Sequence, residues 1–313
     1  MKFGVLVPCG PSPLESARIS DLMDALWHFG GECAQIVMVN DGNPHLAQLD
    51  LGILEKKYGC RIPVEILQNP RNGEGWGWAG GLVYGELAGL HRLKTLVPDL
   101  GFVIKLDTDA LPIRPFHADL ALRFKDPGIG LVGSRIINEI PPAYKQTQAL
   151  GYFRNKTNKL LAPISLWRKP TWHLRSPLLD KDLARIREML QEAISNGYVK
   201  GELIEGGAFA WSGDYIDRLI NRGFHTDRSM LLKLNVSDDL FLTPLAYCLG
   251  LHCEESDIFC VEPANLRFPA AELWERCPNA RIIHSVKGGS PEYEASTRDF
   301  FRNQRDSRRQ FGS

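Results

Sequence analysis

Two carboxylates stand one residue apart, Asp107 and Asp109, directly after the apolar stretch at residues 102–106. Side chains two residues apart on a strand point to the same side, so both can converge where the strand ends. Converging carboxylates repel and lose hydration unless a cation or hydrogen-bond donors satisfy them. Oxygen ligands suit Mg²⁺ and Mn²⁺, so the stretch favours a divalent-metal site, although a solvated turn after a buried strand gives the same letters.

Three other polar positions could also do chemistry. The tripeptide NDG at residues 40–42 follows a predicted strand, and it is also a strong turn former. The segment SDDLFL places Asp238 and Asp239 at the start of a predicted helix, where acids also serve as N-terminal caps. His284 ends the strand-like stretch RIIH, and a lone His of this kind is often structural.

The first hundred residues alternate strand and helix patterns, which predicts an α/β layer fold. We predict strands at 3–7, 35–39, 63–68, 102–106 and 130–134, and helices at 14–29, 46–58, 180–196 and over a segment that ends near 96. The first helix carries its apolar face at Ile19, Leu22, Met23, Leu26 and Trp27. The pattern favours one domain over residues 1–313.

Two glycine-rich segments adjoin these elements. NPRNGEGWGWAGG, residues 69–81, runs into a helix but lacks the Gly-Lys-Ser/Thr ending of a P-loop. EGGAFAWSG, residues 205–213, predicts a Gly-Gly turn followed by a short strand. Gly206 and Gly207 have no Cβ, so a ligand can approach their backbone closely.

The bulk composition excludes several classes of function. Lys plus Arg equals Asp plus Glu at 37 each, so global charge favours no nucleic-acid partner. No stretch is apolar enough for a transmembrane span, and the first residues lack the apolar core of a signal peptide. Seven cysteines without a Cys-x-x-Cys pair indicate reduced thiols. We therefore expect a cytoplasmic location.

Two basic segments depart from this neutral balance. Residues 140–179 form an insertion with seven basic side chains, five aromatic ones and no Asp or Glu, which suits either an acceptor-binding surface or a solvated loop. Residues 291–313 form an Arg-rich C-terminal tail with a helical pattern.

The order of these landmarks over residues 3–290 resembles a GT-A fold glycosyltransferase and, within that fold, the inverting family 2 group. The resemblance implies an α/β fold with a Rossmann-like mixed sheet flanked by helices. It also implies a metal-dependent transfer of a sugar from a nucleotide-diphosphate donor, most commonly a UDP-sugar, to a hydroxyl acceptor. The acceptor could be a sugar, a lipid or a small molecule.

The resemblance implies a role for each matching residue. The residues implied to contact the donor are Pro8, Asp41, Asn72, Asp107, Gly206 and Gly207. Those implied to bind Mn²⁺ or Mg²⁺ are Asp107, Asp109 and His284. Asp239 takes the place of the general base and Asp238 that of its supporting acid. The match at VNDG is partial, because the family has Asp-Asp-Gly-Ser here, whereas this chain has Asn40 in place of the first acid and Asn43 in place of the Ser.

Other functions use the same features. A non-catalytic nucleotide-sugar-binding protein would share the fold. A sugar-phosphate nucleotidyltransferase would too, but residues 8–13 lack the basic side chains of its signature. A phosphatase of the haloacid dehalogenase type needs a Thr where this chain has Leu111, and its motif stands near the start of the chain.

Overall fold

The computed structural model describes residues 1–46, 49–136, 181–234, 236–261, 269–287 and 290–311. The predicted insertion at 140–179 lies outside the described residues, so its acceptor role stays a prediction.

The described strands are β1 (Phe3–Cys9), β2 (Cys33–Asn40), β3 (Val64–Gln68), β4 (Phe102–Leu106), β5 (Leu111–Pro112), β6 (Ile129–Ile136), β7 (Leu203–Ser212), β8 (His252–Glu255), β9 (Phe259–Val261) and β10 (Ile282–His284). The described α-helices are α1 (Glu15–Phe29), α2 (Leu51–Tyr58), α3 (Gly80–Leu96), α4 (His117–Arg123), α5 (Lys181–Ser195), α6 (Gly213–Asn221), α7 (Arg228–Leu232), α8 (Asp238–Cys248), α9 (Ala270–Arg276) and α10 (Pro291–Phe311). A 3₁₀ turn covers Phe224–Thr226.

Seven strands form a mixed sheet in the order β3-β2-β1-β4-β7-β6-β8. The strands β3, β2, β1 and β4 run parallel, whereas β7 is antiparallel to both of its neighbours. Since β2 lies on one side of β1 and β4 on the other, the strand order reverses at β1. Open α/β sheets bind ligands beyond the carboxyl ends of strands at such a switch point.

A small second sheet orders β5, β10 and β9. Its central strand β10 pairs antiparallel with β5, so that Ile283 stands opposite Leu111. Because β5 begins two residues after Asp109, this pairing brings the end of β10 to the end of β4. Asp109 and Ser285, which are 176 positions apart in the chain, therefore meet.

Apolar side chains pack on both faces of the large sheet. The predicted face of α1 is confirmed, since its five apolar residues are buried against β1, β2 and β4. The other face packs against α3, α5, α6 and α8. The α/β class with helices flanking a mixed sheet is thus confirmed.

Three local predictions differ from the structure. The second helix begins at Leu51 and not at 46, because the Asp50 side chain caps it by accepting from Gly52 N–H at 3.0 Å. Pro8 belongs to β1, which runs on to Cys9, and not to the following loop. Gly206 and Gly207 lie within β7, as a bulge and not a turn, because β6 advances two residues while β7 advances five.

The Arg-rich tail is the helix α10, which packs against α1 through buried ion pairs. Arg305 is 1% exposed and reaches Asp21 and Asp24, at 3.0 Å each. Arg298 pairs with Asp21 at 3.1 Å. These arginines therefore hold α10 to the fold.

Within the described ranges, no helix combines the length and the apolar character that a membrane crossing requires.

Candidate functional site

A cavity of about 290 Å³ opens at the carboxyl ends of β1, β2, β3 and β4. Its lining residues are Pro8, Cys9, Gly10, Glu15, Val39, Asp41, Asn69, Gly77, Leu82, Glu86, Asp107, Thr108, Asp109 and Lys287. The volume is near the lower end of the roughly 300–1,000 Å³ that small-molecule sites enclose. A second cavity of about 370 Å³, between α1 and α2, has a mostly apolar lining and none of the predicted metal ligands.

Asp107, Asp109 and His284 converge beside this cavity, with one ligand atom of each lying within 4.8 Å of the others. His284 Nε2 is 3.4 Å from Asp109 Oδ2 and 3.9 Å from Asp107 Oδ2. The end of β4 positions Asp107 and Asp109, and the pairing of β10 with β5 positions the His284 imidazole beside them. The structure thus brings all three predicted metal ligands together.

Asp109 is a buried carboxylate with several cationic or hydrogen-bonding neighbours. Its Oδ2 accepts from Ser285 Oγ at 2.6 Å and lies 2.9 Å from Lys287 Nζ. Burial by itself raises the pKa of Asp109. His284, Lys287 and Ser285 outweigh that effect and hold the pKa well below its usual range. Asp109 is therefore an anion throughout the physiological range.

The residues present fit a divalent cation. Both ring nitrogens of His284 are buried, and among the described residues neither forms a regular hydrogen bond, although Nε2 lies 3.4 Å from Asp109 Oδ2. Buried polar atoms are nearly always paired, and a bound cation would pair one of these nitrogens. Two carboxylates and an imidazole suit Mn²⁺ well and Mg²⁺ through the carboxylates. Three protein ligands leave coordination positions for other oxygens, such as those of a phosphate.

Asp41 lines the cavity, but it already has a partner. The Arg71 guanidinium forms a two-pronged ion pair with it, from Nε to Oδ1 at 2.5 Å and from Nη2 to Oδ2 at 2.8 Å. Charge-assisted pairs of this geometry are among the stronger side-chain interactions. Arg71 also donates to the carbonyls of Glu74 and Gly75, so the pair fixes the shape of the glycine-rich loop.

Asn72 is exposed, has a positive φ of 51°, and lies outside the cavity lining. Asn69, three residues earlier, lines the cavity instead and is 8% exposed. Its side chain donates to Gly81 O and accepts from Arg71 N–H, at 3.1 Å each. Of the donor residues that the sequence suggested, the structure thus brings Pro8, Asp41 and Asp107 to one cavity and leaves Asn72 outside.

The bulge in β7 separates the metal ligands from the acidic pair of α8. Gly207 has a φ of +94°, and a Cβ there would meet the His284 ring at 2.2 Å, so a larger residue would clash. A Cβ on Gly206 would lie 3.6 Å from Asp239 Oδ2. Gly207 therefore leaves room for the His284 ring, and Gly206 lies near both acids at the start of α8.

A buried cation joins the two groups of acids. The Lys105 ammonium contacts three carboxylates: Asp238 at 2.6 Å, Asp107 at 3.0 Å and Glu86 at 3.3 Å. Burial alone raises the pKa of Asp238, but the Lys105 charge outweighs it, and the pKa lies below its usual value. Asp238 is therefore an anion at neutral pH, paired with Lys105.

Asp239 differs from Asp238 although the two are adjacent. Its Oδ1 accepts from Leu240 N–H at 2.8 Å and from the hydroxyl of Ser237, whereas its Oδ2 lies 3.6 Å from the position of a Cβ on Gly206. Burial and then the negative charge of Asp238 raise the pKa of Asp239 to about 7. A carboxylate with this pKa can take up a proton near neutral pH.

Sequence reasoning missed Lys105, Glu86, Arg71 and Lys287. Lys105 did carry a signal, because it is a charged residue within an apolar strand, two positions before Asp107 and hence on the same side. Trp211 lies in β7, next to the bulge. It is 0% exposed and belongs to the core.

Comparisons with known proteins show the fold. No protein-family model and no curated sequence matches the chain. Among solved structures, the bifunctional glycosyltransferase WbbM superposes with a TM-score of 0.54 at 10% identity, over 97% of this chain and 49% of that one. An active-site mutant of LgtC gives a TM-score of 0.51 at 11% identity, over 98% of this chain and 96% of that one.

This chain has the GT-A glycosyltransferase fold. At 10% and 11% identity, the two matches establish the arrangement of strands and helices and nothing finer. The matched region is about half of the longer WbbM chain. The predicted fold class is confirmed, and the assignment to the inverting family 2 group stays a prediction.

Proposed function

We propose that this protein is a metal-dependent glycosyltransferase that moves a sugar from a nucleotide-diphosphate donor, a UDP-sugar by preference, to a hydroxyl acceptor with inversion. The observation that carries the proposal is the convergence of Asp107, Asp109 and His284 beside the cavity at the carboxyl ends of the strands. A further acid, Asp239, has a pKa of about 7. It lies near Gly206, and the neighbouring Gly207 lies against the His284 ring of that cluster.

The charged residues of the site indicate where the diphosphate of the donor would bind. A divalent cation held by Asp107, Asp109 and His284 would neutralise the diphosphate that leaves when the sugar–phosphate bond breaks. Lys287 lines the cavity and adds a positive charge beside Asp109. Pro8, Asp41 and Asn69 line the cavity beyond Asp107, which leaves that part for the nucleoside.

The adjacent acids Asp238 and Asp239 indicate where the acceptor hydroxyl would react. In a single displacement, the acceptor oxygen bonds to the anomeric carbon as the bond from that carbon to the diphosphate oxygen breaks. The acceptor proton passes to Asp239, whose Oδ2 lies 3.6 Å from the position that a Cβ on Gly206 would take. Asp238 keeps its charge through Lys105 and so raises the proton affinity of Asp239.

A thermal-shift panel tests the donor class. UDP, GDP, ADP and CDP, and their glucose esters, are added with Mn²⁺ and with EDTA. A ligand that binds only the folded state stabilises it, by about 2.7 kcal/mol when its concentration is a hundred times its Kd. This stabilisation raises Tm. A rise with UDP and UDP-glucose that needs Mn²⁺ supports the proposal, and no rise with any nucleotide would contradict it.

The pH dependence of transfer tests Asp239. A general base must be deprotonated to act, so kcat/KM is expected to rise with pH and to level off above about 7, where the Asp239 carboxylate is ionised. The measurement is an initial-rate series from pH 5.5 to 8.5 at constant Mn²⁺. A profile that is flat over this range contradicts the assignment of Asp239.

The alternative function, a non-catalytic nucleotide-sugar-binding protein, predicts a different result. Such a protein would bind UDP yet release no UDP from UDP-glucose.

A further inference from the structure

Glu86 faces the cavity from α3 without a well-formed partner of its own. The side chain is 0% exposed and lines the cavity with Leu82, which lies one helical turn earlier on the same face. Within the part of the chain that the structure describes, neither carboxyl oxygen has a hydrogen bond of normal geometry. Buried polar groups are nearly always paired, so this one stands ready for a ligand.

The one cation near Glu86 among the described residues is shared. Lys105 Nζ is 3.3 Å from Glu86 Oε1 but closer to Asp238 and Asp107. Burial raises the pKa of Glu86 well above its usual value, although Lys105 opposes this. The fold thus keeps a carboxyl group in a costly place that its neighbours only partly satisfy.

We propose that Glu86 binds a hydroxyl group of the nucleotide-sugar donor, on its ribose or on the transferred sugar. The inference rests on the function proposed above. A hydroxyl both donates and accepts, so it pairs with a carboxyl group in either protonation state. A phosphate offers only acceptors at neutral pH and would meet the charges of Asp107 and Asp238 at this point.

The position of Glu86 fits a sugar ring. Through Lys105 it adjoins Asp107, a predicted metal ligand, and Asp238, the neighbour of the predicted base. A diphosphate held at the metal ligands carries ribose on one side and the transferred sugar on the other. The hydroxyl groups of the donor belong to these two rings, and neither the nucleobase nor the ionised diphosphate carries one.

Two variants separate a binding role from a structural one. Glu86→Leu removes the polar group at similar size, and Glu86→Gln keeps a hydrogen-bonding side chain. We expect Leu to weaken donor binding about tenfold, which is about 1.4 kcal/mol, and Gln to weaken it about two- to threefold. Without ligand, the Tm of Glu86→Leu should equal or exceed that of the wild type, because an apolar group replaces an unsatisfied one.

Calorimetric titration with Mn²⁺ decides between the two rings. The probes are UDP, 2′-deoxy-UDP, 3′-deoxy-UDP and UDP-glucose, or the same set for whichever nucleotide the panel favours. A loss that disappears with one deoxy form assigns the ribose, and a loss confined to UDP-glucose assigns the transferred sugar. Unchanged affinity for all probes, or a fall in Tm for both variants, overturns the inference. If the wild type binds no nucleotide, the proposed function itself fails.

Discussion

Asp239→Asn is expected to lower the rate of sugar transfer by about 100-fold or more, because general-base assistance contributes typically about 100- to 10,000-fold. Asn keeps an oxygen that can accept from Leu240 N–H and the Ser237 hydroxyl, so the start of α8 should stay intact. It cannot accept the proton of the acceptor hydroxyl. The affinity for UDP with Mn²⁺ should stay nearly unchanged, since no contact joins Asp239 to the metal cluster among those that the structure describes.

Stability provides the check on this variant. The folded protein raises the pKa of Asp239, so its ionisation destabilises the fold as the pH rises from the ordinary pKa of an Asp toward about 7 and above. Asp239→Asn should therefore hold or raise Tm at pH 8. If Tm falls sharply, the cap at the start of α8 was the main role of the residue.

A matched control is Asp214→Asn. Asp214 also stands in the first turn of a helix, α6, but it forms a surface pair with Arg218. Transfer should stay within about twofold, because exposed pairs of this kind contribute at most about 1 kcal/mol to stability and nothing to the site. Near wild-type transfer in Asp239→Asn would place the base elsewhere and remove the support for inversion.

Periodicity accounts for what the sequence predicted well. The spacing of Ile19, Leu22 and Leu26 defined one face of α1, and the two-residue spacing of Asp107 and Asp109 placed both at one strand end. These are local rules, and they hold because the buried face of each element is regular. The bounds of α2 failed because the cap at Asp50 outweighed the apolar pattern before it.

The missing part of the site depends on contacts between distant residues. Lys105 meets Asp238, 133 positions later, and Arg71 meets Asp41, 30 positions earlier. No local pattern predicts such pairs, because they follow from how the strands are ordered in the sheet. Glu86 in particular reads as an ordinary helix residue until its burial against β4 is known.

Asp109→Ala is expected to abolish the gain in UDP affinity that Mn²⁺ provides. Loss of an outer-shell partner of a metal typically costs about 10- to 100-fold in affinity or activity, and loss of a ligand should cost at least as much. Asp109 is 2% exposed and its Oδ2 contacts His284, Ser285 and Lys287, so a shortened side chain removes the anion around which the cluster forms. The measurement is calorimetric titration of UDP with Mn²⁺ and with EDTA.

The matched control is Asp119→Ala, which removes a half-exposed acid paired with Arg281 at 3.0 Å and should leave the Mn²⁺ gain intact. His284→Ala should reduce the gain less than Asp109→Ala, and no effect at all would make His284 a structural residue.

The quantity to compare is the ratio of affinities with and without Mn²⁺, and not the affinity itself. Asp109→Ala releases Lys287 from its partner at 2.9 Å, and this exposed ammonium can then attract the diphosphate without a metal. Residual UDP binding that ignores EDTA is therefore compatible with the metal assignment. An unchanged Mn²⁺ gain in a variant with wild-type Tm is not, and it would show that the cation binds elsewhere.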